Sequence, residues 1–268
     1  MKWNPAAYVQ FASHRDRPFF ELIARIDDNV PARVVDLGCG PGPLTAALAD
    51  RWPEAHVTGL DASPEMIDKA TADHQRPRLD FAETDAATWT PEAETDILIS
   101  NAMMQWIPGH RELMAGWLDA LKPGAWFAAQ VPGNFQAPSH ALMRELAATP
   151  YWADRLQGLV LRQDAVAEPT TYLRLMLEHA FEADVWETTY EQILRGPDPV
   201  LDWVRGTALR PILSVLNDAD AAEFEAEYAA LVRDAYPPFT GPEGELLTIF
   251  PFRRIFMVGR KETASRFG

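Results

Sequence analysis

Short apolar runs alternate with polar, helix-periodic segments through the first half of the chain. The runs cover residues 33–37, 56–60, 79–82, 95–100 and 126–131, and helical periodicity separates them. Apolar runs of this length are typical of buried strands, and strands that alternate with helices build parallel sheets through right-handed crossovers. The pattern therefore predicts an α/β fold.

The segments between the runs carry the residues that shape and end helices. Leu44, Leu48 and Trp52 fall on one helical stripe. A helix over 109–121 is predicted to end at Lys122-Pro123-Gly124, because proline and glycine stop a helix and turn the chain. Ser63-Pro64 places an N-cap residue before a proline at the first helical position. The segment with Leu44, Leu48 and Trp52 and the segment that begins at Ser63 are predicted to be crossover helices of the sheet.

The second half of the chain extends the same pattern. We expect a helix over 169–180 and strands over 184–194 and 254–259. These strands complete a Rossmann-like, seven-stranded, mostly parallel sheet with helices on both faces.

Two stretches stay outside this sheet. They cover about 132–168 and 195–251, and we interpret them as insertions that form a helical cap. No Gly/Ser or Pro-rich linker divides the 268 residues, so we expect a single domain over 1–268, with an N-terminal lid at about 1–20.

Three alternating glycines follow the first predicted strand, in Asp36-Leu37-Gly38-Cys39-Gly40-Pro41-Gly42. Glycine tolerates positive φ and has no Cβ, so such a turn brings backbone N–H groups close to a ligand at a helix start. A dinucleotide fingerprint needs G-x-G-x-x-G, whereas the third glycine here comes one residue early. The mismatch disfavours NAD and favours another nucleotide-like ligand.

Polar residues close the first four predicted strands: Asp36, Asp61, Asp85 and Asn101. Ligands of open parallel sheets bind at the carboxyl ends of the strands, where Asp61 is placed to accept both hydroxyls of a ribose. Asp36 would repel a phosphate but attract an amine or a sulfonium. As alternatives, Asp61 caps the next helix, although Ser63 already fills that position, and Asp85 is simply solvated.

Charge and cysteine content exclude several partners. With 39 acids against 24 bases, the formal net charge is −15, which makes nucleic acid or an anionic membrane surface unfavourable. The single cysteine, Cys39, cannot form an internal disulfide, and no Cys/His metal motif is present. No long apolar run resembles a signal peptide or a membrane span, so we expect a cytoplasmic protein without a metal.

The first half of the chain resembles the class I S-adenosylmethionine-dependent methyltransferases. Their first motif has the form of residues 36–42, their second acid matches Asp61, and Lys122-Pro123-Gly124 fits their motif before strand five. The resemblance implies S-adenosyl-L-methionine as cofactor. The residues expected to bind it are Asp36, Gly38, Cys39, Gly40, Asp61, Ala62, Asp85 and Asn101.

Nearly the whole chain resembles the narrower family of trans-aconitate methyltransferases. The similarity lies largely outside the glycine turn, in Trp3-Asn4-Pro5, Gln105-Trp106-Ile107-Pro108-Gly109-His110, Val131-Pro132-Gly133-Asn134, Leu209-Arg210-Pro211 and Phe250-Pro251. This resemblance implies methyl transfer to a carboxylate of trans-aconitate, giving a monomethyl ester.

The residues after the fourth predicted strand bear on the methyl acceptor. Methyltransferases that act on amide or base nitrogens resemble Asn/Asp-Pro-Pro-aromatic, whereas this chain has Asn101-Ala102-Met103-Met104. A carboxylate is already ionised near neutral pH and needs no base. We therefore expect catalysis by positioning, with no catalytic acid, base or nucleophile.

A tricarboxylate needs short-range cationic contacts in so acidic a protein, and arginine suits planar carboxylates. The residues expected to bind substrate are Arg17, Tyr8, Arg210, His110 and Trp106, and further candidate arginines are Arg144, Arg253 and Arg254. Any one of these arginines is also consistent with a surface ion pair, and His110 with packing. Trp3, Tyr8 and Phe11 either close over the cofactor or belong to the core.

Other functions remain open at this point. A methyltransferase for another small carboxylate or small molecule, a non-catalytic S-adenosylmethionine-binding protein and an NAD oxidoreductase are the alternatives. The sequence does not determine the oligomeric state.

Overall fold

A computed structural model of the chain describes residues 16–28, 30–156, 159 and 164–263. The strands are β1 (Arg33–Leu37), β2 (His56–Asp61), β3 (Leu79–Glu83), β4 (Ile97–Asn101), β5 (Trp126–Pro132), β6 (Phe181–Arg195), β7 (Phe239–Thr240) and β8 (Leu246–Lys261).

Most of the helices begin with a proline in their first turn, where its missing N–H group is not needed and its fixed φ suits the helix. The helices are α1 (Arg17–Ile23), α2 (Pro43–Arg51), α3 (Pro64–His74), α4 (His110–Ala120), α5 (Pro138–Ala147), α6 (Pro150–Arg155), α7 (Pro169–Glu178), α8 (Pro199–Arg205), α9 (Arg210–Leu213) and α10 (Asp218–Ala235).

The strands form one sheet in the order β3-β2-β1-β4-β5-β8-β6, and the short β7 pairs with β8 off this path. Neighbouring strands from β3 to β5 are parallel, and β8 runs antiparallel to β5. The predicted mostly parallel α/β sheet is confirmed. The differences are the added two-residue β7 and a β8 that begins at Leu246, well before the expected start at 254.

No helix forms between β3 and β4, although helical periodicity was expected to separate the apolar runs. Residues 84–96, all of which are described, make turns between β3 and β4. The sequence Thr88-Trp89-Thr90-Pro91 explains the difference, because β-branched residues and an internal proline disfavour a helix. A cleft of about 460 Å³, including its open mouth, lies here against Val35, Leu60 and Trp89.

Both faces of the sheet are covered. Ile97, Leu98 and Ile99 follow one another in β4, and each is 0% exposed although neighbouring side chains point to opposite faces. One hydrophobic core contains Trp117 of α4 and Met176 of α7, packed on residues of the central strands. This burial fixes the carboxyl ends of the strands, where the candidate site lies.

The described residues divide into two compact units. The first contains those of Met1–Pro132, Val166–Glu187 and Arg254–Gly268, with the parallel strands and the core on them. The second contains those of Gly133–Ala165 and Thr188–Arg253, with a core of its own around Trp152, Phe224 and Tyr228. The single domain with cap insertions stays a prediction. Within the described part of the chain, no helix has the length and apolarity to span a membrane.

Candidate active site

The glycine turn after β1 is tied to the end of β2. The backbone N–H groups of Gly38 and Cys39 donate to the Leu60 carbonyl oxygen at 2.7 and 3.0 Å. Gly38 has φ +86° and Gly40 has φ +55°, a region that other residues rarely adopt. A Cβ on Gly38 would clash with the side chain of Met103, whereas a Cβ on Gly40 would have nothing within 4 Å. The turn is therefore packed at Gly38 and open at Gly40.

Asp61 links this turn to Ser63, the N-cap of the next helix. One carboxylate oxygen accepts from the N–H of Gly40 and the other from the N–H of Ser63, both at 2.9 Å. The Ser63 hydroxyl oxygen in turn accepts from Met66 N–H and caps α3. Ala62, between them, is exposed. Asp61 thus has a structural role next to the start of the helix, close to the capping role given above as the alternative. Its two hydrogen bonds fix the carboxylate at the edge of the sheet.

Asp36 is a buried carboxylate. Its side chain is 2% exposed and accepts a hydrogen bond from the Thr45 hydroxyl at 2.6 Å. Burial and the negative charge of Asp61 raise the pKa of Asp36 to about 6, although the Thr45 hydrogen bond opposes the shift. A positive charge on a bound ligand would stabilise both carboxylates.

The remaining expected cofactor residues lie along the same edge. Asp85 follows β3, is exposed and accepts from Ala87 N–H at 2.9 Å. Asn101 closes β4, the neighbour of β1 at the point where the strand order reverses. Cys39 is 8% exposed, and burial raises the pKa of its thiol, which fits a packing role. The structure therefore brings all the expected cofactor residues to one edge of four adjacent strands.

The residues expected to bind substrate are more scattered within the first unit. Arg17 begins α1 and donates to Glu21 at 2.7 Å. Trp106 is 60% exposed in a turn of 3₁₀ helix after β4. His110 is 4% exposed, and its Nε2 lies 2.8 Å from the Tyr172 hydroxyl oxygen. Tyr8 lies outside the described residues.

The candidate arginines differ strongly in exposure. In the second unit, Arg210 begins α9 and is exposed, Arg144 donates to the Phe135 carbonyl oxygen at 2.6 Å, and Arg253 is half-buried. In the first unit, Arg254 is 7% exposed, and its guanidinium donates to Gln130 Oε1 at 3.3 Å. Burial makes Arg254 the most constrained cation of the set.

Sequence reasoning missed three residues of this region: Thr45, Gln130 and Tyr172. Gln130 could have been found from the sequence, since it is the one side-chain amide in the otherwise apolar run 126–131. Thr45 and Tyr172 had none, because their partners Asp36 and His110 are set by the fold.

Two histidines pair with acids away from this edge. His56 begins β2, at its amino end, and lies 3.1 Å from Asp80, and His179 follows α7 and lies 2.6 Å from Asp119. Among the described residues, no group of histidines, cysteines and acids has the arrangement of a metal site. The edge thus offers carboxylates, amides and backbone groups as its binding chemistry.

Comparison with known proteins agrees with this geometry. The family described as "Methyltransferase domain" matches residues 34–124. A trans-aconitate 2-methyltransferase of Streptomyces avermitilis is 51% identical over 267 residues, which is 97% of this chain and 97% of that protein. Proteins of the same name from Rhodococcus jostii and Mycobacterium tuberculosis are 47% and 44% identical, over 96% and 99% of this chain and 99% of each of those proteins.

Solved structures support the fold. The YcgJ protein of Bacillus subtilis matches with a TM-score of 0.58 at 15% identity, over 91% of this chain and 97% of that chain. A phosphoethanolamine N-methyltransferase 2 of Haemonchus contortus, in complex with S-adenosyl-L-methionine, matches with a TM-score of 0.55 at 14% identity, over 97% of this chain and 57% of that chain. The identities of 44–51% over nearly the whole chain, and not the structural matches, place this chain in the trans-aconitate 2-methyltransferase family.

Proposed function

We propose that the protein transfers a methyl group from S-adenosyl-L-methionine to a carboxylate of trans-aconitate and forms a monomethyl ester. The observation that carries the proposal is the identity of 51% over nearly the whole chain to a relative named for this acceptor. The similarity extends well beyond the cofactor-binding half, so it is not explained by a shared cofactor alone. The tricarboxylate is therefore proposed as the partner.

The residues at the carboxyl edge fit the cofactor. When bound, S-adenosyl-L-methionine supplies a methyl group on a positively charged sulfur. Gly40 leaves open space above the turn, and each Asp61 oxygen has a further lone pair with which to accept a ribose hydroxyl. Asp36 would favour the positive charge electrostatically. Gly38, Cys39, Ala62 and Asp85 are proposed to line the rest of this site.

The chain's own residues have only to bind, orient and exclude water. The acceptor carboxylate is ionised at neutral pH, so no side chain has to remove a proton. Holding two reactants in line contributes a large part of the rate enhancement in such a displacement.

Guanidinium groups are proposed to hold the acceptor's carboxylates. Arg17 and Arg210 are the proposed cations, because a guanidinium suits a planar carboxylate, whereas the buried Arg254 donates to Gln130. Trp106 and Tyr8 stay proposed contacts. His110 would act through Tyr172 instead of touching the acceptor, since its Nε2 is engaged there. A cytoplasmic location belongs to the same proposal and is supported by the single cysteine.

A labelling assay tests the function. Purified protein is mixed with methyl-labelled S-adenosyl-L-methionine and, separately, with trans-aconitate and other di- and tricarboxylates, and esters are identified by mass. We expect label in an ester of trans-aconitate. Ester formation confined to other acids would refute the acceptor, and binding of S-adenosylhomocysteine without transfer to any acid would identify a non-catalytic binding protein.

A further inference from the structure

Three polar side chains form a relay through the buried end of the sheet: Asn101 on β4, Gln130 on β5 and Arg254 on β8. Gln130 Nε2 donates to Asn101 Oδ1 at 2.7 Å, and Arg254 Nη1 donates to Gln130 Oε1 at 3.3 Å. Strand register explains the contacts, because Asn101 is paired with Gln130 and Arg254 with Pro132, two residues further on. Gln130 is 1% exposed, so its amide is wholly inside the protein.

The relay has only one possible direction. A guanidinium donates hydrogen bonds and never accepts them, so the Gln130 atom that faces Arg254 has to be the carbonyl oxygen. The other end of the same amide, the NH₂ group, then faces Asn101, whose oxygen accepts from it. Amide orientations are otherwise ambiguous in proteins, and here the fixed polarity of Arg254 determines two of them.

This orientation of the amides places a hydrogen-bond donor, the Asn101 amide nitrogen, at the end of β4. With its oxygen bound to Gln130, Asn101 has its amide nitrogen left to donate elsewhere. Asn101 is half-buried and lies where the strand order reverses between β1 and β4, the place where open parallel sheets bind ligands. Ala102, the next residue, has φ +54°, a strained conformation for alanine that is frequent at functional sites.

We propose that the Asn101 amide nitrogen donates to a carboxylate oxygen of the methyl acceptor, and that Gln130 and Arg254 are positioning residues that keep the amide in this orientation. The inference rests on the function proposed above and deepens it. A donor here selects an acceptor that brings a carboxylate oxygen and disfavours an amine, which needs an accepting atom at the same place. Asn101, which was expected to bind the cofactor, is thereby proposed to bind the acceptor.

Asn101→Asp is the direct test. Aspartate keeps one oxygen for Gln130 Nε2 and replaces the donor by a second carboxylate oxygen, which repels an anion. We expect the KM for trans-aconitate to rise at least about 50-fold, from a lost charge-assisted hydrogen bond and added repulsion. We expect the calorimetric affinity for S-adenosylhomocysteine to change less than about threefold, which is well under one hydrogen bond.

Gln130 variants test the direction of the relay. Gln130→Glu still accepts from Arg254 but offers only oxygen to Asn101, so the Asn101 amide has to turn and its oxygen faces the acceptor. Gln130→Met removes both contacts and leaves Asn101 free to turn either way. We expect Gln130→Glu to weaken binding of trans-aconitate to the S-adenosylhomocysteine-loaded protein about tenfold, roughly one to two hydrogen bonds, and Gln130→Met to weaken it less.

Asn217→Asp, at the N-cap of α10, is the matched control for one added charge and should leave both affinities unchanged. Equal loss of cofactor and acceptor affinity in Asn101→Asp, or a larger loss in Gln130→Met than in Gln130→Glu, would overturn the inference. The wild-type protein is assayed first. If it makes no ester of trans-aconitate, the proposed function fails, and the variants are not needed to show this.

Discussion

At the scale of single residues, two glycines of one turn differ because Gly38 faces a side chain and Gly40 faces open space. Gly38→Ala combines a left-handed φ with a clash against Met103, so we expect a loss of about 3 kcal/mol in the free energy of unfolding. Gly40→Ala has the strained φ alone, and we expect about 1 kcal/mol. Urea denaturation measures both.

Cofactor binding separates the two glycines further. The Cβ of Gly40→Ala would occupy space that the cofactor needs, so we expect at least a tenfold loss of S-adenosylhomocysteine affinity in a protein that is still folded. Wild-type affinity in Gly40→Ala would contradict the placement of the cofactor above this turn.

The ionised Asp36 carboxylate lowers the stability of the folded protein, whereas we expect it to strengthen cofactor binding. Its pKa is raised from 3.8 to about 6 in the folded protein, so its contribution to stability is fully present below about pH 3.8 and is lost as the pH rises through 6. The shift corresponds to about 3 kcal/mol at pH 8. We therefore expect Asp36→Asn to unfold at higher urea concentration, with a gain at pH 8 that exceeds the gain at pH 5.

The same variant should bind the cofactor less tightly. Asparagine cannot oppose a positive sulfur, so S-adenosylmethionine should lose more affinity than S-adenosylhomocysteine, whose sulfur is neutral. Equal losses for the two ligands would argue against an electrostatic part for Asp36.

At the scale of elements, the amino end of α5 is held inside the second unit by buried polar contacts. The Tyr228 hydroxyl donates to the Ser139 carbonyl oxygen at 2.7 Å, and the Tyr236 hydroxyl oxygen accepts from Ser139 N–H at 3.1 Å. His140, the next residue, has a pKa lowered to about 4 by burial and by the positive charge of Arg144. This element should therefore be sensitive to acid.

The sign follows from the lowered pKa. A neutral His140 contributes its full stability above about pH 6.5, and the contribution is lost as the pH falls towards 4. Because the side chain is partly exposed, we expect a loss of about 1–2 kcal/mol between pH 7 and pH 4.5. His140→Gln should unfold with a flatter pH dependence, and His74→Gln, in α3, should keep the original slope. An unchanged slope in His140→Gln would assign the acid sensitivity elsewhere.

Most of the strands and several of the helices could be predicted from the sequence alone. Hydrophobic period, prolines and glycines are local signals, and they predicted the parallel strands, α2, α4 and α7. The turns over 84–96 and the early start of β8 were missed, because a weak helical pattern and a segment with Pro251 at its centre are ambiguous until the sheet forms. The relay was missed because its members lie 29 and 124 residues apart.

The candidate site divides in the same way. The glycine turn, Asp36 and Asp61 are near in sequence to strand ends, so their common edge followed from topology. Arg254 did not stand out among the arginines, because its burial comes from the pairing of β8 with β5. Arg17 and Arg210 remain predictions.

At the scale of the whole molecule, the net charge of −15 acts on the two proposed reactants with opposite sign. S-adenosylmethionine carries a net positive charge at neutral pH and trans-aconitate is a trianion, so long-range attraction favours the first and opposes the second. Salt screens both effects over about 10 Å at 0.1 M.

We therefore expect opposite salt dependences. Between about 20 and 200 mM salt, the affinity for S-adenosylmethionine should fall, and kcat/KM for trans-aconitate at saturating cofactor should rise a few-fold. Calorimetry and initial rates measure the two. If both quantities fell, a local cluster of guanidinium groups would outweigh the charge of the whole protein.

Because Arg254 and Asp36 respond differently to pH, acceptor selectivity and cofactor binding should depend differently on pH. Arginine keeps its proton throughout the range in which proteins stay folded, whereas Asp36 gains one near pH 6. Mild acidification would then loosen the hold on the methyl donor without reversing either amide dipole. Under acid stress, turnover would slow while fidelity towards the acceptor stayed intact.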